Sequence, residues 1–212
     1  VGGVNPDGSR FGGTVMVNNT SAMLTGATPT ASALQFNVRR GGDGKAASMV
    51  VPTQANQWYW PGDALVWKGK VRMYASRMAT GDGGDFNFRQ VGVDLLTTDA
   101  AQDAPFLGAY NRLNLPLYAP KNGSLGEIAF GVATLPLTVQ AGAPNPDGFV
   151  YVYGVRSDDL NKKLLVARVR PDQITKSGSY RFWNGKIWVT DINASAPVAN
   201  RMGAELSVTP LP

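Results

Sequence analysis

The chain has 212 residues, of which 20 are Lys or Arg and 15 are Asp or Glu, so that its formal net charge is +5. Hydrophobic residues make up 43% and charged residues 17%, and this composition excludes a disordered chain, a coiled coil and a collagen. Cys and His are both absent, which excludes thiol nucleophiles, Cys/His zinc sites, haem ligation and mechanisms that need an imidazole base.

Charge and hydropathy also narrow the possible partners. The basic residues are scattered, with Arg39-Arg40 and Lys162-Lys163 as adjacent pairs, whereas nucleic-acid-binding proteins usually carry a denser basic stripe. The sequence contains no apolar run long enough to span a bilayer. We therefore expect neither a nucleic-acid partner nor a membrane span, and neither a metal nor a cofactor.

Strand signals occur along the whole chain, whereas helix signals are nearly absent. Several short segments are rich in β-branched or aromatic residues and often alternate in polarity: Thr14–Val17, Met23–Leu24, Ala64–Trp67, Lys70–Ser76, Phe149–Val155, Lys163–Val169, Ser179–Trp183 and Ile187–Thr190. Asn184-Gly185 predicts a type I′ hairpin turn between Tyr180–Trp183 and Lys186–Val189, because this turn needs a positive φ at both central residues. The sequence therefore predicts an all-β fold.

A pair of strands recurs along the sequence. Lys70–Arg77 and Phe149–Arg156 match closely, and each follows a glycine. A second set of predicted strands shares a pattern of smaller residues: Val17–Met23, Trp60–Val66, Ile128–Leu135 and Met202–Val208. A small-residue strand followed by an aromatic strand thus returns after roughly 40 to 75 residues, which is typical of a β-propeller.

We therefore predict that residues 1–212 form a single β-propeller domain in which the first strand of each blade lines a central channel. The repeat units lie near residues 11–56, 57–121, 122–200 and 201–212. Propellers have four to eight blades, and this sequence supplies about three blades and one further strand. Either the sequence is a fragment, or a second chain completes the ring. A β-sandwich with coincidental strand similarity is the alternative.

Three consecutive segments carry a resemblance to a known family. Gly148–Arg156, Lys163–Val169 and Tyr180–Trp188, the last with its Trp-Asn-Gly-Lys-Ile-Trp hairpin, follow one another in the family's order. Weaker similarity covers Asn18–Thr20 and Trp60–Asp63. The chain resembles a family of secreted bacterial five-bladed β-propellers, formerly of unknown function, that includes endo-D-arabinanases and is related to furanosidase propellers.

The resemblance implies a secreted or cell-surface glycoside hydrolase that acts on a furanose polysaccharide such as arabinan. Members of the family place an Asp of a Gly-Asp-Thr-type strand in the channel of the first blade. Val1–Gly8 resembles the segment that directly follows this strand. We therefore expect this acidic residue to be missing from the chain.

Carboxylates are the candidate catalytic groups. Furanoside hydrolysis needs one carboxylic acid that protonates the leaving oxygen and a second carboxylate that serves as base or nucleophile. Asp63 and Glu205 each head a small-residue strand, and the repeat register predicts both at the same end of the channel. We predict Asp63 and Glu205 as the catalytic pair, with Glu127 as a third candidate. The alternative is that these side chains only accept hydrogen bonds from strand ends or from an Arg.

Three further residues are predicted to bind the glycan. Trp58 and Trp60 precede Asp63 directly, and aromatic rings at a channel mouth stack on sugar faces. Asn19 is predicted to donate hydrogen bonds to sugar hydroxyls. Packing between blades and satisfaction of strand ends are the alternative roles. Without catalysis, the predicted function is that of a non-catalytic propeller that binds glycans or serves in assembly.

Overall fold

The computed structural model describes residues 5–9, 15–81, 87–101, 104–158 and 161–210. These residues form strands and three short 3₁₀ helices, which confirms the all-β prediction. The strands are β1 (Ser21–Leu24), β2 (Leu34–Asn37), β3 (Arg39–Arg40), β4 (Ala46–Ala47), β5 (Gln57–Trp67), β6 (Lys70–Thr80), β7 (Phe88–Asp99), β8 (Asn111–Leu115), β9 (Tyr118–Ala119), β10 (Glu127–Leu137), β11 (Phe149–Asp158), β12 (Asn161–Val169), β13 (Arg181–Trp183), β14 (Trp188–Val189) and β15 (Ala199–Asn200). The 3₁₀ helices span Pro171–Gln173, Ser177–Ser179 and Ile192–Ala194.

Two antiparallel sheets contain the long strands. The first sheet has the order β5-β6-β7-β8, and the second has the order β14-β13-β12-β11-β10-β9, with β15 paired to β12. β1 pairs with β2 and β3 pairs with β4 in two small sheets. Within the two large sheets, most strands that follow one another in sequence are therefore neighbours in space. Within the described ranges, no helix is long and apolar enough to cross a membrane.

The hairpin predicted around Asn184-Gly185 forms, since β13 pairs with β14, but its turn is not of type I′. Trp183 pairs with Trp188, so that the connecting loop contains residues 184–187. Gly185 has a φ of 94°, whereas Asn184 does not have a positive φ. The Asn184 side chain explains the difference, because its Oδ1 accepts hydrogen bonds from the backbone N–H groups of the loop's last two residues.

The geometry expected at that turn occurs instead between β5 and β6. Lys68 and Gly69 have φ values of 48° and 70°, and they connect Trp67 to its partner Lys70. Positive φ at both central residues is the type I′ pattern, which matches the twist of the flanking strands.

Two predicted strand segments do not form strands. Met202–Val208 has no strand assignment, and neither does Val15–Val17. Thr14 lies outside the described residues. Conversely, β7 and β8 were not among the predicted strands, although β7 forms the centre of the first sheet.

The main core lies between the two large sheets. Strand side chains alternate between the faces of a sheet, and alternate residues of β11 and β12 belong to one buried cluster with residues of the first sheet. The buried residues of this cluster include Leu65, Tyr74, Val93, Leu95, Ile128, Phe130, Val150, Val152, Leu165 and Ala167. A second cluster covers the other face of the first sheet and includes Met49, Val50, Tyr59, Met73, Ala75, Leu96 and Phe106. The first sheet is therefore buried on both faces.

Two β-bulges bring β5 and β10 together. The register of β5 shifts between Pro61 and Ala64, and that of β10 shifts between Phe130 and Ala133. A Cβ atom on Gly62 would overlap the carbonyl oxygen of the glycine in the β10 bulge. Glycine is needed at this contact because one backbone approaches another closely.

Candidate functional site

A cleft of about 850 Å³ opens beside the two bulges. Residues of β5, of β10 and of the beginning of β7 line it. The end of β11, the beginning of β12 and residues 204–208 line it as well. Three carboxylates line this cleft: Asp63, Glu127 and Glu205. The two bulges therefore create a concave site that gathers acidic side chains distant in sequence.

Asp63 connects the two inner strands. Its Oδ2 accepts hydrogen bonds from the backbone N–H of Thr134 at 2.6 Å and from the Thr134 hydroxyl at 2.9 Å. Its Oδ1 accepts a hydrogen bond from the N–H of Ala64 at 2.7 Å. Both oxygens are thus occupied, and the half-buried Asp63 holds the β5 bulge against β10.

Glu127 lies at the start of β10 in a different environment. Its side chain is half-buried, and its Oε2 lies 3.0 Å from the hydroxyl oxygen of Tyr118. Burial raises the pKa of Glu127, while the Tyr118 hydroxyl and the charge of Lys162 oppose this rise. Desolvation is the dominant cause, because it disfavours the ionised form. Glu127 therefore keeps its proton to a higher pH than an exposed glutamate.

Cations lie on the same side of the cleft. The Nζ of Lys162 donates a hydrogen bond to the Ser157 hydroxyl at 2.9 Å, and both residues line the cleft with Glu127. Arg89 at the beginning of β7 is exposed and also lines the cleft. The cleft thus combines carboxylates with Lys and Arg, a combination that suits a polar ligand.

Glu205 lies in an exposed segment without strand structure. Its side chain forms no hydrogen bond or ion pair with the described residues. The structure places it in the cleft with Asp63, on an irregular segment rather than at the head of a strand.

An aromatic pair forms part of the cleft wall. Trp60 is 42% exposed, and its ring contacts that of Phe88 edge to face with centroids 4.7 Å apart. Both residues line the cleft. Trp58 is half-buried on β5, pairs with Met78 and does not line it. Of the two predicted tryptophans, the structure therefore brings only Trp60 to the cleft.

Asn19 lies away from the cleft. It is 6% exposed, and its Nδ2 donates to the carbonyl oxygens of Val50 and Tyr59 at 3.1 and 3.0 Å. Its Oδ1 accepts a hydrogen bond from the N–H of Val50 at 2.8 Å. This pattern corresponds to the alternative role weighed for Asn19, in which its amide satisfies backbone groups beside β5.

The sequence matches the model of a protein family over residues 1–210, and this family is described as a "Domain of unknown function (DUF5005)". The chain belongs to the DUF5005 family. No curated protein matches this DUF5005 chain.

A solved structure resembles this DUF5005 domain in fold. It is the crystal structure of a "putative hydrolase" from Bacteroides ovatus, with a TM-score of 0.53 and 16% sequence identity. The match covers 77% of this chain and 43% of the other, so that the present chain spans less than half the length of that protein. At this identity the likeness concerns the fold alone.

Sequence reasoning missed two residues that line the cleft of this DUF5005 domain and one residue that contacts a cleft carboxylate. Tyr118 contacts Glu127 from the two-residue strand β9, and Phe88 and Lys162 come from β7 and β12. A strand of two residues has no periodicity that could be recognised. Only the pairing of β9 with β10 places Tyr118 beside the carboxylate.

The arrangement has the elements of acid–base chemistry. One carboxyl group is half-buried with a raised pKa, a second carboxylate is exposed in the same cleft, and a tryptophan forms part of the wall. A carboxyl group that keeps its proton to a higher pH is suited to the role of a general acid. In the part of the chain that the structure describes, no group of three or more acidic residues could hold a metal ion.

Proposed function

We propose that this domain hydrolyses glycosidic bonds, with Glu127 as the general acid and Glu205 as the second carboxylate. The observation that carries this proposal is the half-buried Glu127, whose pKa is raised, in a cleft that it shares with an exposed carboxylate. Glu127 would protonate the leaving oxygen, and Glu205 would activate water or attack the sugar. The resemblance of the fold to that of a protein described as a hydrolase is compatible with this role.

The proposed roles differ from those that the sequence suggested for Asp63 and Glu127. Both oxygens of Asp63 already accept hydrogen bonds from Thr134 and Ala64. A general acid must hold a proton and release it to the substrate. We therefore propose that Asp63 fixes the junction of β5 and β10, and that Glu127 carries the transferable proton.

We further propose that the two large sheets are neighbouring blades of a β-propeller with five blades in the complete ring. Three features support this. Each sheet is an antiparallel meander, β5 and β10 contact each other directly, and both carry a bulge with a glycine at the matching position. The cleft would then open into the central channel.

The proposed substrate is a furanose polysaccharide such as arabinan, outside the cell that secretes the protein. This substrate follows from the family resemblance of the sequence. The exposed ring of Trp60 supports a sugar ligand, because tryptophan stacks on apolar sugar faces.

The test is to incubate the protein at its full natural length with arabinan and to measure new reducing ends. Xylan and cellulose, which are built of pyranoses, serve as controls for the sugar ring. Release from arabinan alone supports the whole proposal. Release from a pyranose polymer supports hydrolysis of glycosidic bonds but refutes a furanose substrate. No release from any of them contradicts the hydrolase.

A non-catalytic glycan-binding module is the second candidate. Its support is that the carboxylate at the bulge junction, Asp63, has both oxygens occupied by internal partners. Calorimetry with arabinan oligosaccharides separates the two candidates. Binding that Trp60→Ala weakens, without any cleavage on prolonged incubation, favours the binding module.

A further inference from the structure

The hydroxyl group of Tyr118 faces two hydrogen-bond acceptors. Its oxygen lies 2.8 Å from the backbone carbonyl oxygen of Gln90 and 3.0 Å from Oε2 of Glu127. A phenol has one hydrogen to donate, although its oxygen also accepts. Burial and the neighbouring Glu127 raise the pKa of Tyr118, so that the phenol keeps this hydrogen. When Glu127 is ionised, the single hydrogen of Tyr118 cannot serve both acceptors fully.

We propose that Tyr118 is a positioning residue whose O–H turns between Gln90 and Glu127 as Glu127 loses and regains its proton. With Glu127 protonated, the carboxyl O–H donates to Tyr118 Oη, and the Tyr118 O–H donates to the Gln90 carbonyl oxygen. With Glu127 ionised, the Tyr118 O–H donates to the carboxylate, and the Gln90 carbonyl loses its donor. Apart from these hydrogen bonds, the one bond that changes is the O–H bond of the Glu127 carboxyl group, which breaks as the proton is released.

This exchange lowers the cost of releasing the proton. Hydrogen bonds to charged groups contribute more than neutral ones, so that the Tyr118 hydroxyl stabilises the ionised carboxyl more than the neutral one. Tyr118 thereby opposes the effect of burial on the pKa of Glu127. The use of this proton in catalysis rests on the proposed function, whereas the hydrogen-bond exchange does not.

Several charged groups from the surrounding strands face or share this cleft. Lys162 of β12 opposes the raised pKa of Glu127, and Arg89 of β7 lowers the pKa of Tyr118. The carboxylates of Asp63 and Glu205 line the same cleft. Of these charges, that of Lys162 acts on the pKa of Glu127, and none of the four groups supplies the single donor that Gln90 and Glu127 share.

Nuclear magnetic resonance can follow both partners in the full-length protein. The Cζ carbon of labelled tyrosine reports on hydrogen bonding of Tyr118, and the Cδ carbon of labelled glutamate reports on ionisation of Glu127. We expect the Tyr118 resonance to shift with the same midpoint as the Glu127 resonance. Glu127→Gln should abolish the Tyr118 shift, since its amide mimics the protonated carboxyl. Tyr151, which donates to the exposed Asp147 at 2.6 Å, is the internal control and should not follow Glu127.

Tyr118→Phe supplies the second measurement. The midpoint of Glu127 should rise by roughly 0.5 to 1 pH unit, because the ionised form loses the stronger hydrogen bond. A Tyr118 resonance that stays constant through the Glu127 midpoint would overturn the proposal, and this result needs only the wild-type protein if the variant does not fold. Coupled titration in a protein without glycosidase activity would refute the proposed function but keep this inference. Glycosidase activity without coupled titration of Tyr118 and Glu127 would refute this inference but keep the proposed function.

Discussion

Asp94 and Glu127 are both withdrawn from solvent, but their carboxyl groups have different hydrogen-bond partners. Asp94, at the centre of β7, is 4% exposed and accepts hydrogen bonds from Arg77 at 2.8 and 3.0 Å and from Asn114 at 3.0 Å. Tyr59 donates a fourth, at 2.5 Å. Glu127 is half-buried and has the Tyr118 hydroxyl as its hydrogen-bond partner, with Lys162 nearby.

The difference lies in the partners rather than in burial. Arg77 supplies a full opposite charge to Asp94, and three strands besides β7 contribute donors to it. A buried charge that is paired and hydrogen-bonded is stable but chemically occupied. Glu127 has fewer donors, so that desolvation dominates and its proton stays available. The more deeply buried carboxylate therefore has a structural role, whereas the environment of the other supports the chemical role that we propose for it.

The largest expected effect is on the stability of the Asp94 site. Asp94→Asn removes the charge that pairs with the half-buried Arg77, and we expect a loss of about 3 to 5 kcal/mol in the free energy of unfolding. Denaturant titration of the purified protein measures it. Asp99→Asn, on the same strand but in an exposed pair with Lys70, is the matched control and should cost less than about 1 kcal/mol. Equal losses in the two variants would contradict the comparison.

The next effect concerns activity at the other carboxylate. Glu127→Gln should lower the rate of arabinan cleavage by about 10²- to 10⁴-fold, because the leaving oxygen is no longer protonated. Cleavage of an aryl furanoside whose phenolate leaves without protonation should fall much less. A variant as slow on the aryl substrate as on arabinan would argue against Glu127 as the acid.

An intermediate effect is expected at the junction that places Glu127 beside the cleft. Gly62→Ala inserts a methyl group against the backbone of the β10 bulge, and overpacking of this kind costs about 1 to 3 kcal/mol. Gly42→Ala is the control, because a Cβ atom there meets nothing within 4 Å. Thermal unfolding of both variants measures the difference, and a Gly62→Ala variant as stable as the control would show that the bulges do not pack tightly.

The smallest effect is a dependence of stability on pH with opposite signs at two carboxyls. Burial raises the pKa of Glu127, so that its contribution to stability is present below the ordinary glutamate pKa of 4.5 and is lost as the pH rises through the raised value. The hydrogen bond from Lys163 lowers the pKa of Asp158, so that its contribution is present above the ordinary aspartate pKa of 3.8 and is lost on acidification. Glu127→Gln should therefore become more stable relative to wild type as the pH rises.

Asp158→Asn should lose stability relative to wild type over the same rise in pH. Denaturation midpoints of the two variants and the wild type, measured between about pH 3 and pH 8, give both differences. Differences of the same sign would refute the opposite environments of the two side chains.

Local patterns predicted the strands with clear alternation. The hairpin of β5 and β6 and the strands β11 and β12 were recognisable because β-branched and aromatic residues occupy one face and turn residues separate them. β7 was missed because Arg89, Gly92 and Asp94 interrupt its apolar pattern. Asp94 fits in the strand because Arg77 and Asn114 on neighbouring strands donate hydrogen bonds to it.

The sequence by itself determined that the chain is all-β, and it restricted the candidate acids and bases to carboxylates, among which it predicted Asp63 and Glu205. Only the tertiary structure decided the separate environments of these groups. In the folded chain, Asp63 accepts hydrogen bonds from Thr134, and Asn19 is buried against backbone groups. Tyr118 lies beside Glu127. The physical reason is that ionisation and hydrogen bonding depend on neighbouring groups. Strand pairing brings these neighbours together, and the order of residues along one strand does not specify them.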